Sequence, residues 1–239
     1  MSVLDVDIVI PVFNEGENII KSMRAIREQV KSDYRILICY DSKEDPTLEI
    51  LAKFDLISEN VLLVENLFRG VHGAIRSGFK ESNANAVITF MADDDYNAGL
   101  IDKMIDEFKK GNEIVAPSRF IQGGIFSGCP WLKRIIVIMT SWSMHSLAGI
   151  PVHDATNGFR LFSRRLLENC PLESTEGFTY SVELLVKCHR LGWKMTEVPA
   201  KWFERTLGKS RFRLFGWANA YLHWYWYAFG TRYLRRHSL

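Results

Sequence analysis

The stretch that decides the fold reads Ala86-Val87-Ile88-Thr89-Phe90-Met91-Ala92-Asp93-Asp94-Asp95-Tyr96-Asn97. An apolar, β-prone run that ends abruptly in carboxylates predicts a buried parallel strand over residues 86–91, with acidic side chains at its C-terminal edge. In open α/β sheets this edge is where ligands bind. Three adjacent carboxylates repel one another unless a cation or protons neutralise them, so the stretch is also a candidate metal site.

The carboxylate oxygens of this stretch suit Mg²⁺ or Mn²⁺, and such an ion can bridge to a diphosphate. In an extended segment Asp93 and Asp95 point the same way, and Asp94 points the opposite way. An alternative interpretation is that the acids only stabilise the N-terminus of the next helix, which the apolar spacing predicts at residues 100–108.

Strands and helices alternate at short intervals on both sides of this stretch. Alternation of this kind predicts right-handed βαβ units, and therefore an α/β fold with a mostly parallel sheet. The predicted strands are residues 6–12, 35–40, 61–64, 86–91, 113–117, 160–162 and 193–198, and the predicted helices are residues 17–30, 47–54, 69–81, 100–108 and 180–191.

The charge of the 239-residue chain is unevenly distributed, although the formal net charge is only +2. The last 39 residues hold eight Lys or Arg against one acid, and they also hold 12 of the 30 aromatic residues. A basic and aromatic tail is typical of proteins that bind a membrane surface or nucleic acid.

Four cysteines are widely spaced, which indicates reduced structural thiols in a cytosolic protein rather than a zinc site or a disulfide framework. The first residues lack the basic and apolar regions of a signal peptide. The longest uncharged run, residues 135–152, is interrupted by Ser, Thr and His, so we expect a core or interfacial helix there rather than a membrane span.

Several motifs occur in an order that resembles a known enzyme family. They are Val9-Ile10-Pro11-Val12-Phe13-Asn14-Glu15, Asp41, Gly70-Val71-His72-Gly73-Ala74, Met91-Ala92-Asp93-Asp94-Asp95, Ser118-Arg119-Phe120, Gly123-Gly124, Asp154-Ala155-Thr156-Asn157-Gly158-Phe159-Arg160-Leu161, Val198-Pro199, Glu204-Arg205, Gly208 and Ser210-Arg211. The ordered set, over about residues 5–215, resembles family 2 glycosyltransferases of the glycosyltransferase-A fold. The likeness is strongest to polyprenyl-phosphate sugar transferases such as dolichyl-phosphate mannose synthase.

The resemblance implies a site for a nucleotide-sugar. Asp93 and Asp95 look like the metal-binding Asp-x-Asp pair, although the family often has an aspartate where Met91 or Ala92 stands, so Asp94 stays open as a ligand. The other implied donor contacts are the base and ribose residues of the first two strand ends, two glycines, a sugar contact and a loop that closes over the diphosphate. These are Pro11, Phe13, Glu15, Asp41, Gly70, Gly73, Glu183, Arg205 and Arg211. Turn and capping chemistry remains the alternative for the loop residues, and tight packing remains the alternative for the glycines.

The resemblance also implies a site for the acceptor. Arg119 and Arg134, with Lys133, would bind a phosphate by forked hydrogen bonds, although Lys133 equally suits an ordinary charged surface. Asp154 is expected to contact the sugar hydroxyls, or to act as the base if the acceptor is a hydroxyl. His153 is expected to be structural.

The predicted organisation is a catalytic domain, residues 1–215, followed by a basic, aromatic helical tail, residues 216–239. The tail is expected either to lie in a membrane interface or to pack on its own domain or on a second copy of the chain. The expected activity is an inverting, Mg²⁺- or Mn²⁺-dependent sugar transfer to a polyprenyl phosphate at the cytoplasmic membrane face, without nucleic acid. Two alternatives stay open: a soluble enzyme that glycosylates a saccharide or protein hydroxyl, and an inactive module that binds membrane or nucleic acid.

Overall fold

The computed structural model describes residues 5–204 and 218–234 of the chain. Its strands are β1 (Val6–Val12), β2 (Tyr34–Tyr40), β3 (Val61–Glu65), β4 (Ala86–Thr89), β5 (Ile114–Ser118), β6 (Ile125–Ser127), β7 (Arg160–Ser163), β8 (Met195–Pro199) and β9 (Lys201–Phe203). Seven of them form one sheet in the order β3-β2-β1-β4-β7-β5-β8, while β6 and β9 pair in parallel as a separate ribbon.

The α-helices are α1 (Asn18–Gln29), α2 (Pro46–Lys53), α3 (Gly70–Glu81), α4 (Ile101–Lys109), α5 (Trp131–Ser146), α6 (Arg164–Asn169), α7 (Thr179–Arg190) and α8 (Ala218–Tyr233). A 3₁₀ helix, Asp95–Leu100, precedes α4. The predicted elements agree with these to within a few residues. The ribbon and α6 have no counterpart among the predictions.

The central strand β1 shows why this sequence forms a sheet with both faces covered. All seven of its residues are buried, and alternate side chains enter opposite cores. Ile8 and Ile10 pack in the core beneath α1 and α4, whereas Val9 packs in the core beneath α3 and α7. At Gly78 of α3 an added Cβ would lie 2.5 Å from Val9 Cγ1, so glycine lets this helix approach the sheet closely.

The predicted α/β fold with a mostly parallel sheet is confirmed. The exception is β7, which runs antiparallel to both β4 and β5. The chain re-enters the sheet at the edge where β4 ends, because residues 156–159 line the cleft described below and β7 starts immediately afterwards at Arg160. A strand that starts at this edge must run away from it. Residues 154–159, which come directly before β7, therefore lie at the same edge of the sheet as the aspartates that follow β4.

Helix α8 packs on α7 and α5 through one face. Trp224, Ala228 and Thr231 are buried there, and Arg190 of α7 donates to Thr231 Oγ1 at 2.9 Å. On α5, Ser143 Oγ accepts from Tyr225 Oη at 3.0 Å. Within the described ranges, none of the helices is both long and apolar enough to cross a bilayer. The division of the chain at residue 215 stays a prediction.

Candidate active site

A cleft of about 1030 Å³ opens where β1, β2 and β4 end. The carboxyl ends of parallel strands meet at one edge of the sheet, so residues distant in sequence come together there. Seven of the predicted site residues line the cleft: Pro11, Phe13, Glu15, Asp41, Gly70, Asp93 and Arg119. Five others do not line it: Gly73, Asp95, Arg134, Asp154 and Glu183. Arg205 and Arg211 lie outside the described residues.

The three aspartates form an acid turn, residues 93–95, rather than an extended segment. Strand β4 ends at Thr89, the amide of Asp94 donates to Met91 O at 3.2 Å, and Asp95 already begins the 3₁₀ helix. A turn cancels the alternation on which the pairing of Asp93 with Asp95 depended. Within the acid turn, Asp93 and Asp94 therefore line the cleft, whereas Asp95 does not.

Asp94 is the buried member of the acid turn. Burial raises the pKa of its carboxyl well above the usual value, and the charges of Asp93 and Asp95 raise it further. One oxygen of Asp94 accepts a hydrogen bond from Asn97 Nδ2 at 2.7 Å. This bond lowers the pKa of Asp94, but the effect of burial is larger. Without a cation, Asp94 is therefore held in its neutral form, and a cation bound at the turn would favour its ionised form.

The donor set of the acid turn fits Mg²⁺ or Mn²⁺ held together with a substrate. Among the described residues, no three His, Cys, Asp or Glu side chains form a group that could hold a metal alone. Mg²⁺ in nucleotide enzymes is commonly held by one or two carboxylates plus substrate phosphates. Asp93 and Asp94 supply two such carboxylates, and a diphosphate in the cleft would supply the remaining oxygens.

The loops after β1 and β2 build the side of the cleft that contains Asp41. The carboxylate of Asp41 accepts from Gly70 N at 3.0 Å and from Asn66 Nδ2, so it fixes the loop before α3 as well as facing the cleft. Gly70 has a φ of +80°, which glycine adopts without strain. Gly73 serves packing instead, because an added Cβ would lie 2.6 Å from Phe68 O.

The first loop is held by the helix cap of α2, a role that sequence reasoning did not assign. Asp45 caps Thr47 N at 2.9 Å and also accepts from Asn14 N at 3.0 Å. Thr47 Oγ1 in turn accepts from Glu15 N at 3.0 Å. Because these bonds fix the backbone of the loop, Phe13 and Glu15 are presented to the cleft from a preorganised turn.

Arg119 is locked by Asp154, which corrects the expected role of that aspartate. The fully buried carboxylate of Asp154 accepts from Arg119 Nε at 2.6 Å, from Nη2 at 2.7 Å and from the backbone amide at 3.0 Å. Burial by itself would raise the pKa of Asp154, but the charge and hydrogen bonds of Arg119 outweigh it and lower the pKa. An ionised, fully bonded carboxylate outside the cleft is poorly suited to act as a base. Its contacts in the structure instead hold Arg119 in place.

The cation group, which we define as Arg119, Lys133 and Arg134, gathers around an aromatic pair of the β6–β9 ribbon. The rings of Phe126 and Trp202 are cross-strand neighbours, with centroids 5.2 Å apart. Phe126 lies 4.8 Å from the guanidinium carbon of Arg119 and 5.7 Å from that of Arg134, and Trp202 lies 5.2 Å from Lys133 Nζ. Cation–π contacts hold positive charge in place without neutralising it. The ribbon therefore gathers three cationic side chains, of which Arg119 is already paired with Asp154. Arg119 and Lys133 line the cleft, and Arg134 is exposed beside them.

Glu183 does not contact the cleft. Its fully buried carboxylate accepts from Glu173 N at 2.7 Å, from Ser174 N at 2.9 Å and from Lys187 Nζ at 2.7 Å. These partners saturate the group and tie a loop to α7. The expectation that Glu183 contacts the sugar is therefore not retained. His153, expected to be structural, bonds the carboxylate of Glu197 at 2.7 Å through Nδ1.

One part of the cleft is apolar, and we call it the apolar wing. Apart from Lys133 of the cation group, it consists of the cleft-lining residues of α5 and α8, which are Ile136, Val137, Met139, Thr140, Trp142, Ser143, Met144, Ala218, Tyr221, Leu222 and Tyr225. The wing continues into an outer surface on which Trp131, Ile135 and Trp226 are more than half exposed. Helix α5 buries Ser141 and Ser143 together with Met144, while most of its other apolar side chains are partly or largely exposed, unlike those of an ordinary surface helix. The predicted helix in the uncharged run is confirmed, and the exposure of its apolar side chains is visible only in three dimensions.

Comparison with known proteins identifies the family to which this fold and cleft belong. The sequence profile of glycosyl transferase family 2 matches residues 7–170. The chain is a family 2 glycosyltransferase. It is 28% identical over 201 residues to the dolichyl-phosphate hexose transferase of Haloferax volcanii, with 84% of each chain covered. It is 23% identical over 211 residues to the polyprenol monophosphomannose synthase of Mycolicibacterium smegmatis, covering 85% of this chain and 79% of that one.

A solved structure with the same fold is that of glucosyl-3-phosphoglycerate synthase from Mycobacterium tuberculosis. Its complex with Mn²⁺, UDP-glucose and phosphoglyceric acid superposes with a TM-score of 0.71 at 16% identity, covering 95% of this chain and 80% of that one. The likeness shows the fold of this glycosyltransferase.

Several cleft residues of the glycosyltransferase carry no sequence signal that could assign them. Phe126 and Trp202 lie on strands of three residues each, distant in sequence, so neither strand has a detectable period. Tyr96 follows the acid turn and lines the cleft because of the turn geometry, and its neighbour Asn97 ties the turn to β9. Glu204 belongs to a motif of the resemblance, but its position is set by the ribbon.

Proposed function

We propose that this family 2 glycosyltransferase moves one sugar, with inversion at the anomeric carbon, from a nucleotide-sugar to a polyprenyl phosphate at the cytoplasmic face of a membrane. The apolar wing is the observation that carries the choice of acceptor. A small phosphorylated acceptor needs the cation group, but it does not need an apolar groove that continues into exposed Trp and Ile side chains. The names of the relatives from Haloferax volcanii and Mycolicibacterium smegmatis, which specify dolichyl phosphate and polyprenol, support the same choice.

The donor is assigned to the side of the cleft formed by the ends of β1, β2 and β4. Pro11, Phe13 and Asp41 line the cleft there next to the acid turn, in the arrangement that nucleotide-binding α/β sheets use. Asp93 and Asp94 would hold Mg²⁺ or Mn²⁺ against the diphosphate, where the ion acts as a Lewis acid for the leaving group. The UDP-glucose and Mn²⁺ in the structural neighbour support this assignment.

The acceptor phosphate is assigned to the cation group. Guanidinium groups bind phosphate through hydrogen bonds, and the exposed Arg134 can offer a forked pair. The Nε and Nη2 atoms of Arg119 already donate to Asp154 and Thr156, so Arg119 would contact the phosphate through Nη1 from a fixed position. One phosphate oxygen attacks the anomeric carbon, while the bond from that carbon to the diphosphate breaks and its electron pair leaves with the nucleoside diphosphate. A phosphate monoester is already anionic near neutral pH, so this attack requires no general base. A locked Asp154 is consistent with that requirement.

Attachment to the membrane is assigned to the outer surface of α5 and α8. Trp131, Met139 and Trp142 of α5, with Leu222 and Trp226 of α8, are each about half exposed or more. Trp side chains favour the headgroup region of a bilayer, and aliphatic side chains enter the hydrocarbon below it. The same surface borders the apolar wing, so a lipid chain passes between membrane and cleft without crossing open water. Association of two chains through α8 is the competing proposal for this surface, and Arg235 and Arg236 of the predicted tail lie outside the described residues.

A transfer assay tests the proposed function. Purified protein with Mn²⁺ is offered UDP-glucose or GDP-mannose together with one of three acceptors: a short prenyl phosphate, the matching prenyl alcohol, or 3-phosphoglycerate. We expect sugar to appear only on the prenyl phosphate. Transfer to 3-phosphoglycerate would show that the acceptor is a soluble phosphate and not a lipid. Transfer to the prenyl alcohol would contradict the requirement for a phosphate on the acceptor.

A further inference from the structure

Glu204 presents a carboxylate to the cleft that none of the groups discussed so far accounts for. It follows β9 directly and lines the cleft, and its Oε2 atom is buried without a hydrogen-bond partner among the described residues. A buried polar oxygen left without a partner is destabilising. A fold that keeps such an atom at the wall of a binding cleft leaves it available for a ligand that donates hydrogen bonds.

One side of Glu204 faces the end of the cleft where the acceptor phosphate is assigned. An added Cβ on Gly128, at the end of β6, would lie 3.1 Å from Glu204 Cβ, so the two backbones are in close contact. Burial raises the pKa of the neighbouring Cys129 thiol, and the charges that act on it next are those of Lys133, Glu204, Arg119 and Arg134. Glu204 therefore lies in the neighbourhood of all three members of the cation group.

The strand that carries Glu204 is also tied to the acid turn. Asn97 Nδ2 donates to Asp94 Oδ1 at 2.7 Å and to Lys201 O at 2.8 Å, and Lys201 N donates to Asn97 Oδ1 at 3.0 Å. One amide side chain thus fixes the start of β9 against the aspartate that faces the diphosphate. Glu204 stands three residues further along this fixed strand.

These contacts place Glu204 at the wall of the cleft, near the cation group and directly after a strand that is tied to the acid turn. In any direct transfer the migrating sugar lies between the leaving diphosphate and the attacking phosphate. The diphosphate and the acceptor phosphate carry oxygens that accept hydrogen bonds and would be repelled by a carboxylate, whereas sugar hydroxyls donate hydrogen bonds. The sugar is therefore the part of the reactants whose chemistry matches Glu204.

We infer that Glu204 binds hydroxyl groups of the sugar that is transferred and thereby helps to select the donor. The inference rests on the proposed function only in assuming a nucleotide-sugar in this cleft, and it is independent of the acceptor. It assigns Glu204 to substrate binding and not to proton removal.

Binding measurements on the full chain without acceptor test this inference. Calorimetry with Mn²⁺ compares the free nucleoside diphosphate with whichever of UDP-glucose and GDP-mannose the wild type binds, for wild type, Glu204→Ala and Glu204→Gln. A hydrogen bond to a charged group corresponds to about 10- to 100-fold in affinity. We expect Glu204→Ala to weaken binding of the nucleotide-sugar by about that factor and binding of the nucleoside diphosphate by less than twofold. Glu59→Ala, an exposed glutamate outside the cleft, is the matched control and should change neither.

Two further readouts separate substrate binding from a structural role. Because Oε2 lacks a partner in the free protein, Glu204→Gln should leave the Tm unchanged or raise it, whereas a structural glutamate would lower the Tm. A donor analogue lacking the contacted hydroxyl should bind wild type and Glu204→Ala equally, so deoxy-sugar analogues identify that hydroxyl.

Several results would overturn the inference. They are equal losses for the sugar nucleotide and the free diphosphate, no loss for either, or a loss of Mn²⁺ affinity. If the wild type binds neither nucleotide-sugar, the inference and the donor half of the proposed function fall together. If binding behaves as expected but prenyl phosphate is not glycosylated, only the proposed acceptor is wrong.

Discussion

Replacing the two exposed tryptophans of α5 should release this glycosyltransferase from lipid vesicles. Trp131 is 73% exposed and Trp142 is 52% exposed, on a helix that otherwise borders the cleft. The double variant Trp131→Ser/Trp142→Ser removes both rings without touching the buried Ser141 and Ser143. Because both rings are more than half exposed, although Trp142 also lines the cleft, we expect the fold to tolerate the change.

The size of the effect follows from the exposed area. An aromatic side chain contributes about 200 Å², so the exposed fractions leave about 250 Å² for the two rings together. At about 25 cal/mol per Å², complete burial would stabilise the bound state by about 6 kcal/mol. Insertion into the interface covers about half of that area, which leaves about 3 kcal/mol, or roughly 100-fold in the partition coefficient.

Flotation of the protein with anionic phospholipid vesicles at low salt measures this partition. The matched control is Phe54→Ser, which removes an exposed aromatic ring (39%) after α2, on the other side of the sheet, and should float like wild type. The reasoning is refuted if wild type does not float, or if the double variant and the control float equally. A drop in apparent mass for the double variant, without a change in flotation, would instead assign the surface to contact between two chains.

Three further predictions concern buried and ionisable groups. Asp94→Asn should lower kcat by at least about 100-fold, the range for losing one strong electrostatic stabiliser, whereas Asp95→Asn should lower kcat far less. Equal losses of kcat in steady-state assays would instead support the pairing of Asp93 with Asp95. Asp154→Asn should raise the KM for prenyl phosphate by freeing Arg119, without shifting the pH–rate profile, and a lost limb of that profile would make Asp154 a base after all. Burial lowers the pKa of His72 to about 4, below its unfolded value of about 6.5, so the unfolded chain binds the extra proton and stability falls as the pH drops through this window. Between pH 7.5 and 5 in urea titrations, wild type should lose about 2 kcal/mol more than His72→Gln, and parallel losses would show that another group titrates.

The sequence by itself determined the order and type of most elements and the edge of the sheet at which ligands bind. Strand β1 is apolar throughout and β4 is apolar up to its acids, so local composition was enough to predict buried parallel strands. The position of Asp93 at a strand end follows from the chain alone, because no distant residue is needed to place it. Family membership followed from short motifs whose order along the chain is itself a sequence property.

Only the tertiary structure decided which side chains act together. The turn at residues 93–95 puts Asp94 in the cleft in place of Asp95, because a hydrogen bond to Met91 O ends the extended geometry. The antiparallel entry of β7 brings Asp154 behind Arg119, where a bidentate ion pair converts an apparent base into a support. The partners of Glu183 lie on a neighbouring loop that its own sequence does not reveal.

Helix α5 and the β6–β9 ribbon are two further features whose tertiary contacts the sequence pattern does not show. The apolar spacing of α5 is the same whether its apolar face meets a core or a membrane, and only packing shows that Ser141 and Ser143 face inward. The ribbon joins two three-residue strands, too short for a periodic signal, yet it gathers the cation group and places Glu204. Local pattern fixes secondary structure because neighbours in sequence share a backbone period, whereas the site depends on contacts between residues tens of positions apart, which no local period records.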